Sequence, residues 1–263
     1  MAFPVASFAQ SDQDDFGTWI ELGAEKSLPH NLSVGINGEL RTEDNSTRVD
    51  RLSIGVDLSY KVCKYLKVGA GYNFMGSFSP EKRKEHYKDD IEDDDHWNGY
   101  KLTESYWTPK HRLSLEASSS VKLWKWLRVS ARERYQYTRS ASVDGIQTAK
   151  YRFTFLNGEP ILKDGYPETE ATDKPSESAQ YIRSRVKLEV DKKHLDWSPF
   201  VSVEFHNSID RSFHLHKLRT SIGTGYKINR NHSVDMAYTL TNEFDETPNE
   251  RMHALSIGYK YKF

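Results

Sequence analysis

The sequence predicts an all-β chain: an up-and-down antiparallel transmembrane β-barrel of 10-12 strands, twelve favoured, with short periplasmic turns and long extracellular loops. Three observations predict it. Apolar and polar residues alternate along stretch after stretch, the period of strands that meet a different solvent on each face. Five times such a stretch passes through a short lysine-rich turn into another. The chain then closes on Leu255-Ser-Ile-Gly-Tyr-Lys-Tyr-Lys-Phe263. Leu255, Ile257, Tyr259, Tyr261 and Phe263 share one face of that stretch; Ser256, Gly258, Lys260 and Lys262 share the other. A lipid face, a lumen face and aromatics at the membrane boundary are what a closing barrel strand requires.

Composition narrows the alternatives. The net charge of −1 and mean hydropathy of −0.76 give no reason to expect nucleic acid or another polyanion as a partner. No apolar run approaches the roughly 18 residues of a transmembrane helix, whereas a barrel needs apolar residues only at alternate positions. Aromatics reach 13%, with 15 Tyr, which suits interfacial girdles. Cys63 is the sole cysteine, so neither an internal disulfide nor a thiolate metal cluster is expected. Residues 1–15 read as the remnant of a signal peptide and an N-terminal segment. Ser7 and Ala9 supply small residues before Gln10, where the mature chain is expected to begin. Residues 16–263 read as one barrel domain.

The first strand is expected at Phe16–Glu25. Turns follow at Lys26–Asn31, Lys61–Lys64, Lys122–Trp126, Lys192–Asp196 and Lys227–Asn231. Around the second turn, Leu52, Ile54, Val56, Leu58, Leu66, Val68, Ala70, Tyr72 and Phe74 form the outward set. Ser53, Gly55, Asp57, Ser59, Lys67, Gly69, Gly71 and Asn73 form the inward one. Around the fifth, Leu218, Ile222, Tyr226, Val234, Met236, Tyr238 and Leu240 lie on one face. The opposite connections are polar and longer: Arg41–Arg48, Ser77–Lys110, Arg139–Ala179, Asn207–Ser212 and Asn242–Asn249. Sorting connections by length in this way is a barrel asymmetry.

Five hairpins and a terminal strand make eleven, whereas single-chain bacterial barrels have even numbers. Three explanations stand open. Lys150–Leu156 holds further β structure, the first strand is misplaced, or residues 10–15 thread the lumen, since six extended residues span about 20 Å.

Phe16-Gly-Thr-Trp19, Glu39-Leu-Arg41, Arg132-Glu-Arg-Tyr-Gln-Tyr137, Lys217-Leu-Arg219 and Gly258-Tyr-Lys-Tyr-Lys-Phe263 resemble a Bacteroidota outer-membrane β-barrel family known as a domain of unknown function. The resemblance covers essentially residues 16–263. It implies an outer-membrane barrel and brings no catalytic residue, substrate or partner with it.

Inward positions divide by sign. Arg112, Arg128, Arg132, Arg134, Arg183, Arg185, Lys187, Lys217 and Arg219 form a basic wall. Glu21, Glu25, Glu39, Asp57 and Asp235 form an acidic one. In a narrow barrel the two pair and fill the interior; in a wider one they line a polarised channel in which an arginine ladder favours anions. Barrels of about eight strands are filled by side chains and clear pores appear near sixteen, so a filled or ligand-sized interior is preferred.

Candidate chemistry is sparse. Glu133 falls on the lipid face at mid-depth with Ser184 outward on the next strand, a costly place for a carboxylate unless it has a role. The preferred expectation is a β-bulge near Ala131 that turns Glu133 inward onto an arginine. His206 and Ser208, with Glu204 on the same face, have a spacing that resembles the His-x-Ser of outer-membrane lipid A deacylases. A serine hydrolase would need the imidazole to reach the hydroxyl. The acidic run Glu85–Trp97 lacks the turn glycine and spacing of a calcium loop and reads as solvated surface. The ten histidines, His214 and His216 included, show no metal-protease spacing, so no metal or cofactor is expected.

The resulting expectation is a non-enzymatic barrel of a Gram-negative outer membrane, either a small channel or a structural or accessory component of an envelope assembly. Its partners would be outer-membrane lipid and lipopolysaccharide, the barrel-assembly machinery through Tyr259, Tyr261 and Phe263, and an envelope protein through the long loops. A lipid-modifying hydrolase and a soluble periplasmic β-sandwich lipid binder are the alternatives.

Overall fold

A computed structural model describes residues 14–87, 97–156, 159–192, 195–210, 212–244 and 251–263. Sixteen strands follow in order. They are β1 (Asp14–Ser27), β2 (Leu32–Glu43), β3 (Arg48–Lys61), β4 (Leu66–Ser79), β5 (Lys82–Tyr87), β6 (Trp97–Thr103), β7 (Tyr106–Lys122) and β8 (Leu127–Ser140). The remainder are β9 (Val143–Leu156), β10 (Glu159–Leu162), β11 (Glu168–Lys174), β12 (Ser178–Val190), β13 (Trp197–Ser208), β14 (His214–Lys227), β15 (His232–Glu243) and β16 (Arg251–Lys262). The chain divides into two compact units.

The first unit holds residues 1–75, 111–138 and 178–263. Its strands close into a barrel in the order β1-β16-β15-β14-β13-β12-β8-β7-β4-β3-β2. Each of the five expected turns joins two of these strands. Local chemistry closes them: His30 and Asn31 take the left-handed conformation (φ 60° and 62°), which asparagine tolerates best among residues with a Cβ. In the last turn the Asn229 side-chain oxygen accepts from the backbone N–H of both Asn231 and His232 at 2.9 Å, an Asx turn.

The barrel has eleven strands, which corrects the favoured twelve, and its closure is not antiparallel. β1 pairs with β16 in parallel, in register from Asp14 opposite Arg251 to Glu25 opposite Lys262. An odd number of alternating staves leaves the first and last pointing the same way, so the seam must be parallel. Even parity is required only when the last pair is antiparallel. The first strand was therefore placed correctly. Lys150–Leu156 is indeed β structure, but it belongs to the second unit. Residues 10–13, the signal remnant and its cleavage point lie outside the described residues.

Inside and outside are inverted relative to a water-soluble protein. The large apolar side chains face out: Ile54 is 63% exposed, Leu115 60% and Ile222 60%, with Leu22, Ile36, Leu52, Val56, Leu113 and Val186 alike. Buried apolar side chains in this unit are few, namely Trp19, Met75, Ala237 and Ala254, while Gln136, Glu204, His206, Thr239 and Thr241 are buried. This overturns the β-sandwich alternative, because a sandwich buries its apolar faces between two sheets and here one sheet closes on itself with that face outward. Aromatic rings gather at the short-turn end. Trp197 packs on Tyr226 at 4.6 Å, Tyr261 on Phe263 at 4.5 Å and Trp124 on Trp126 at 5.8 Å.

The second unit comprises residues 76–110 and 139–177, expected as long loops. Its sheet runs β10-β9-β6-β5, with β11 also on β9. Tyr100 stacks on Tyr151 at 4.6 Å and Trp97 on Phe153 at 5.3 Å. On this sheet Lys150 and Lys101 both reach Glu170, and the hydrogen bond from Lys150 holds its carboxyl below the usual carboxylate range. Of the acidic run, residues 88–96 lie outside the described residues. Glu85 accepts from the Trp97 indole at 2.7 Å.

The parallel seam is open to a direct test. Ile20 lies opposite Ile257, so Ile20→Cys with Ile257→Cys, in a Cys63→Ser background, should cross-link on mild oxidation, the paired Cα atoms lying within disulfide reach. Cross-linking of Ile20→Cys to an outward site on any strand other than β16 or β2 would refute an eleven-strand closure.

Candidate functional site

The strongest concentration of unusual chemistry in the barrel is its lumen. Alternation along each stave aims charged side chains inward, and at this diameter they meet. The densest knot is Glu204 on β13. Arg183 reaches it at 2.6 Å, Arg132 at 3.3 Å, and His206 Nε2 approaches at 3.3 Å outside hydrogen-bond geometry. Arg183 also donates to Gln136 at 3.1 Å. A second pair, Arg134 with Glu116, is held at 2.6 Å. One carboxylate shared by two guanidinium groups compensates buried charge that would otherwise be costly.

Above Glu21, Trp19 is sandwiched between cations. The Arg41 guanidinium stands 4.1 Å from its ring and that of Arg219 4.8 Å. Arg41 in turn binds Glu39 at 2.8 Å. Trp19 is 6% exposed, Met75 1%, and Gln136 5%, so inward side chains from β1, β4 and β8 fill this level. Below it lies a cavity of about 490 Å³. Its lining runs from Ser33, Ser59 and Lys67, near the short turns, up to Arg41 and Met75. The two signs of charge along its wall are nearly balanced.

Within that wall stand Arg112, Arg132, Arg134, Arg183 and Arg185, facing Glu21, Glu25, Glu39, Asp57 and Asp235. The remaining expected lumen cations lie elsewhere. Arg219 belongs to the tryptophan sandwich, Lys217 pairs with Glu243, Lys187 with Glu189, and Arg128 with Asp191 beside a turn. Lys122 joins Asp191 at 2.7 Å, and this pairing keeps the Asp191 carboxyl below its ordinary range. Glu25 binds Lys260 across the seam. Sequence reasoning passed over Glu116, Arg41 and Trp19 as lumen residues. The signal for Glu116 was present in outward Leu113 and Leu115. Nothing in the sequence marks the sandwich, which joins strands far apart in the chain.

Glu133 points outward and is exposed, so the bulge that would turn it inward is absent, and its carboxylate accepts a 2.7 Å hydrogen bond from the Ser184 hydroxyl. His206 and Ser208 are both buried. No hydrogen bond joins them among the described residues, and the His206 ring meets Glu204 rather than a serine. Among the described residues no cluster of three or more His, Cys, Asp or Glu has metal-site geometry.

Removing the centre of the knot has a defined consequence. Glu204→Ala strands Arg183 and Arg132 without their carboxylate and should destabilise the folded barrel by about 3–5 kcal/mol, read as a lowered midpoint of heat-induced unfolding. Glu204→Gln, which keeps an acceptor, should cost less; equal stability of Glu204→Ala and the wild type would refute the knot.

No curated protein matches the chain. The family described as Protein of unknown function (DUF2490) matches residues 16–252, spanning both units and nearly every strand. The chain belongs to that family.

Proposed function

We propose that this chain is a non-enzymatic β-barrel of a Gram-negative outer membrane whose lumen is stoppered by its own side chains. It acts as a structural or accessory component of an envelope assembly, or as a narrow solute pathway, rather than as an open diffusion pore. The inverted distribution of side chains carries this reading. Each large apolar side chain on the outer wall would gain about 1.5–3 kcal/mol by leaving water, and only a bilayer offers that to a whole belt at once. Barrel strands of 12 to 17 residues exceed the roughly 9–11 residues that a tilted strand needs to cross the hydrocarbon. The aromatic cluster at the short turns suits the periplasmic headgroup level. Tyr259, Tyr261 and Phe263 on the last stave would serve as the segment read by the barrel-assembly machinery, and lipid with lipopolysaccharide would surround the belt. The family resemblance supports a Bacteroidota source.

The stopper supports the closed reading. An arginine pair around Trp19 and a carboxylate shared by two more arginines fill the lumen with the barrel's own charged side chains. In planar bilayers the purified protein should show no steady open-pore current, while Trp19→Ala combined with Arg219→Ala should admit one. A large steady conductance in the wild type would refute the stopper. Recovery from cells in the soluble periplasm, with none in the outer membrane, would reject the membrane reading itself.

One observation favours a second reading. The Ser184–Glu133 hydrogen bond places a nucleophile and a carboxylate on the lipid-facing wall, where an enzyme acting on lipid acyl chains would need them. A carboxylate is a weak base for a serine hydroxyl, which keeps this reading second. Lipid A incubated with the wild type, Glu133→Ala and Ser184→Ala should emerge with identical acyl content; loss of acyl chains with the wild type alone would establish the hydrolase instead.

A further inference from the structure

The lumen cavity contains charges that the ion-pair knots leave over, and they are segregated. On one wall Glu21 of β1 lies in register between Glu39 of β2 and Gly258 of β16, and Gly258 lies opposite Asp235 of β15. Glu39 is taken by Arg41. Glu21 and Asp235 have no hydrogen bond or ion pair among the described residues, and both are exposed to the cavity. Gly258 is the floor between them. A Cβ there would come within 2.7 Å of both Asp235 carboxylate oxygens, so the missing side chain is what lets the Asp235 carboxylate lie over this glycine.

The other wall carries the complement. Among the described residues Arg112 donates only to the Thr138 hydroxyl, at 3.2 Å. Arg185 has no hydrogen bond or ion pair among the described residues. Both lie on strands that close the cavity away from β16. Two carboxylates without an ion pair, Glu21 and Asp235, thus stand on one side of a 490 Å³ space and two guanidinium groups without a carboxylate on the other. Lys67, and Asp57 accepting from Asn37, line the strands between them. Such a space matches the lower range of small-molecule sites, and fixed opposite charges orient a dipolar guest while repelling a guest charged the wrong way.

From this arrangement we propose that the cavity is a binding site for small zwitterions. The cationic end meets the Asp235 carboxylate where it lies over Gly258, and Glu21 beside it, and the anionic end meets Arg185 and Arg112. A short peptide with free termini has this chemistry. The site deepens the barrel reading and rests on it, since the chamber exists only if the barrel closes.

Trialanine is the probe, measured by calorimetry against the full-length protein in detergent micelles, with folding verified for each variant by circular dichroism and heat-modifiable migration. Free trialanine should bind, and acetylating its amine or amidating its carboxylate should each weaken binding about tenfold, one lost charge contact being worth about that much. Glu21→Gln with Asp235→Asn should erase the difference between free and N-acetylated peptide while preserving sensitivity to amidation. Arg185→Gln should do the reverse. Gly258→Ala, which displaces Asp235, should weaken the free peptide without altering the amidation effect. Equal binding of the free and doubly capped peptides, or no binding by the folded wild type, overturns the site. A folded barrel that fails this test sinks the zwitterion site alone, whereas soluble recovery from cells sinks the membrane reading.

Discussion

Everything in the barrel depends on the parallel seam between β1 and β16. A sheet whose outer face is apolar and whose inner face is charged has no stable open form, because its edges would expose unpaired backbone groups on both flanks. Closure removes both edges, and in lipid it is obligatory, since no water is available to satisfy them. The seam also decides what the interior holds. Pairing β1 with β16 brings Glu25 to Lys260 and puts Glu21 beside Gly258, so it organises the acidic wall as well as the ladder.

Closure at eleven strands also sets the energetic character of the core. The lumen is too narrow to leave all its arginines hydrated and too wide for aliphatic side chains to fill. Glu204 and Glu116 resolve this by pairing with the guanidinium groups that face them. Trp19 resolves it differently, offering a ring face to Arg41 and Arg219, where a cation is attracted by the aromatic quadrupole. The interior is therefore specified by geometry of charge more than by apolar packing, which inverts the usual division of labour in a globular domain.

The fold was legible because a two-residue period survives whatever lies on either side of the sheet. Leu52, Ile54, Val56 and Leu58 announce an outward face by themselves, and the short turns at Lys61–Lys64 and Lys227–Asn231 follow from where alternation breaks. Direction of pointing was equally legible for the apolar faces but not for Glu133. There the cost of a carboxylate on an apolar wall favoured an inward bulge, and the side chain is exposed instead. Partnership was not legible. That Arg183 takes Glu204 while Arg185 takes no carboxylate among the described residues depends on barrel stagger, which no single strand encodes. The parity of the barrel was misjudged for a related reason: a rule about antiparallel closure was applied to a seam whose direction no local pattern records. The sheet formed by β5, β6, β9, β10 and β11 was hidden inside segments whose polarity read as loop.

Odd parity carries a topological consequence. Most compact domains bring their chain ends close together, which is why they tolerate being recut and rejoined. Here β1 and β16 descend side by side, so Asp14 lies at one mouth of the barrel and Phe263 at the other. A circularly permuted version could not be joined by a short turn. Its linker would have to travel the full height of the wall, through the occupied lumen or across the apolar exterior, and neither route welcomes a polar chain.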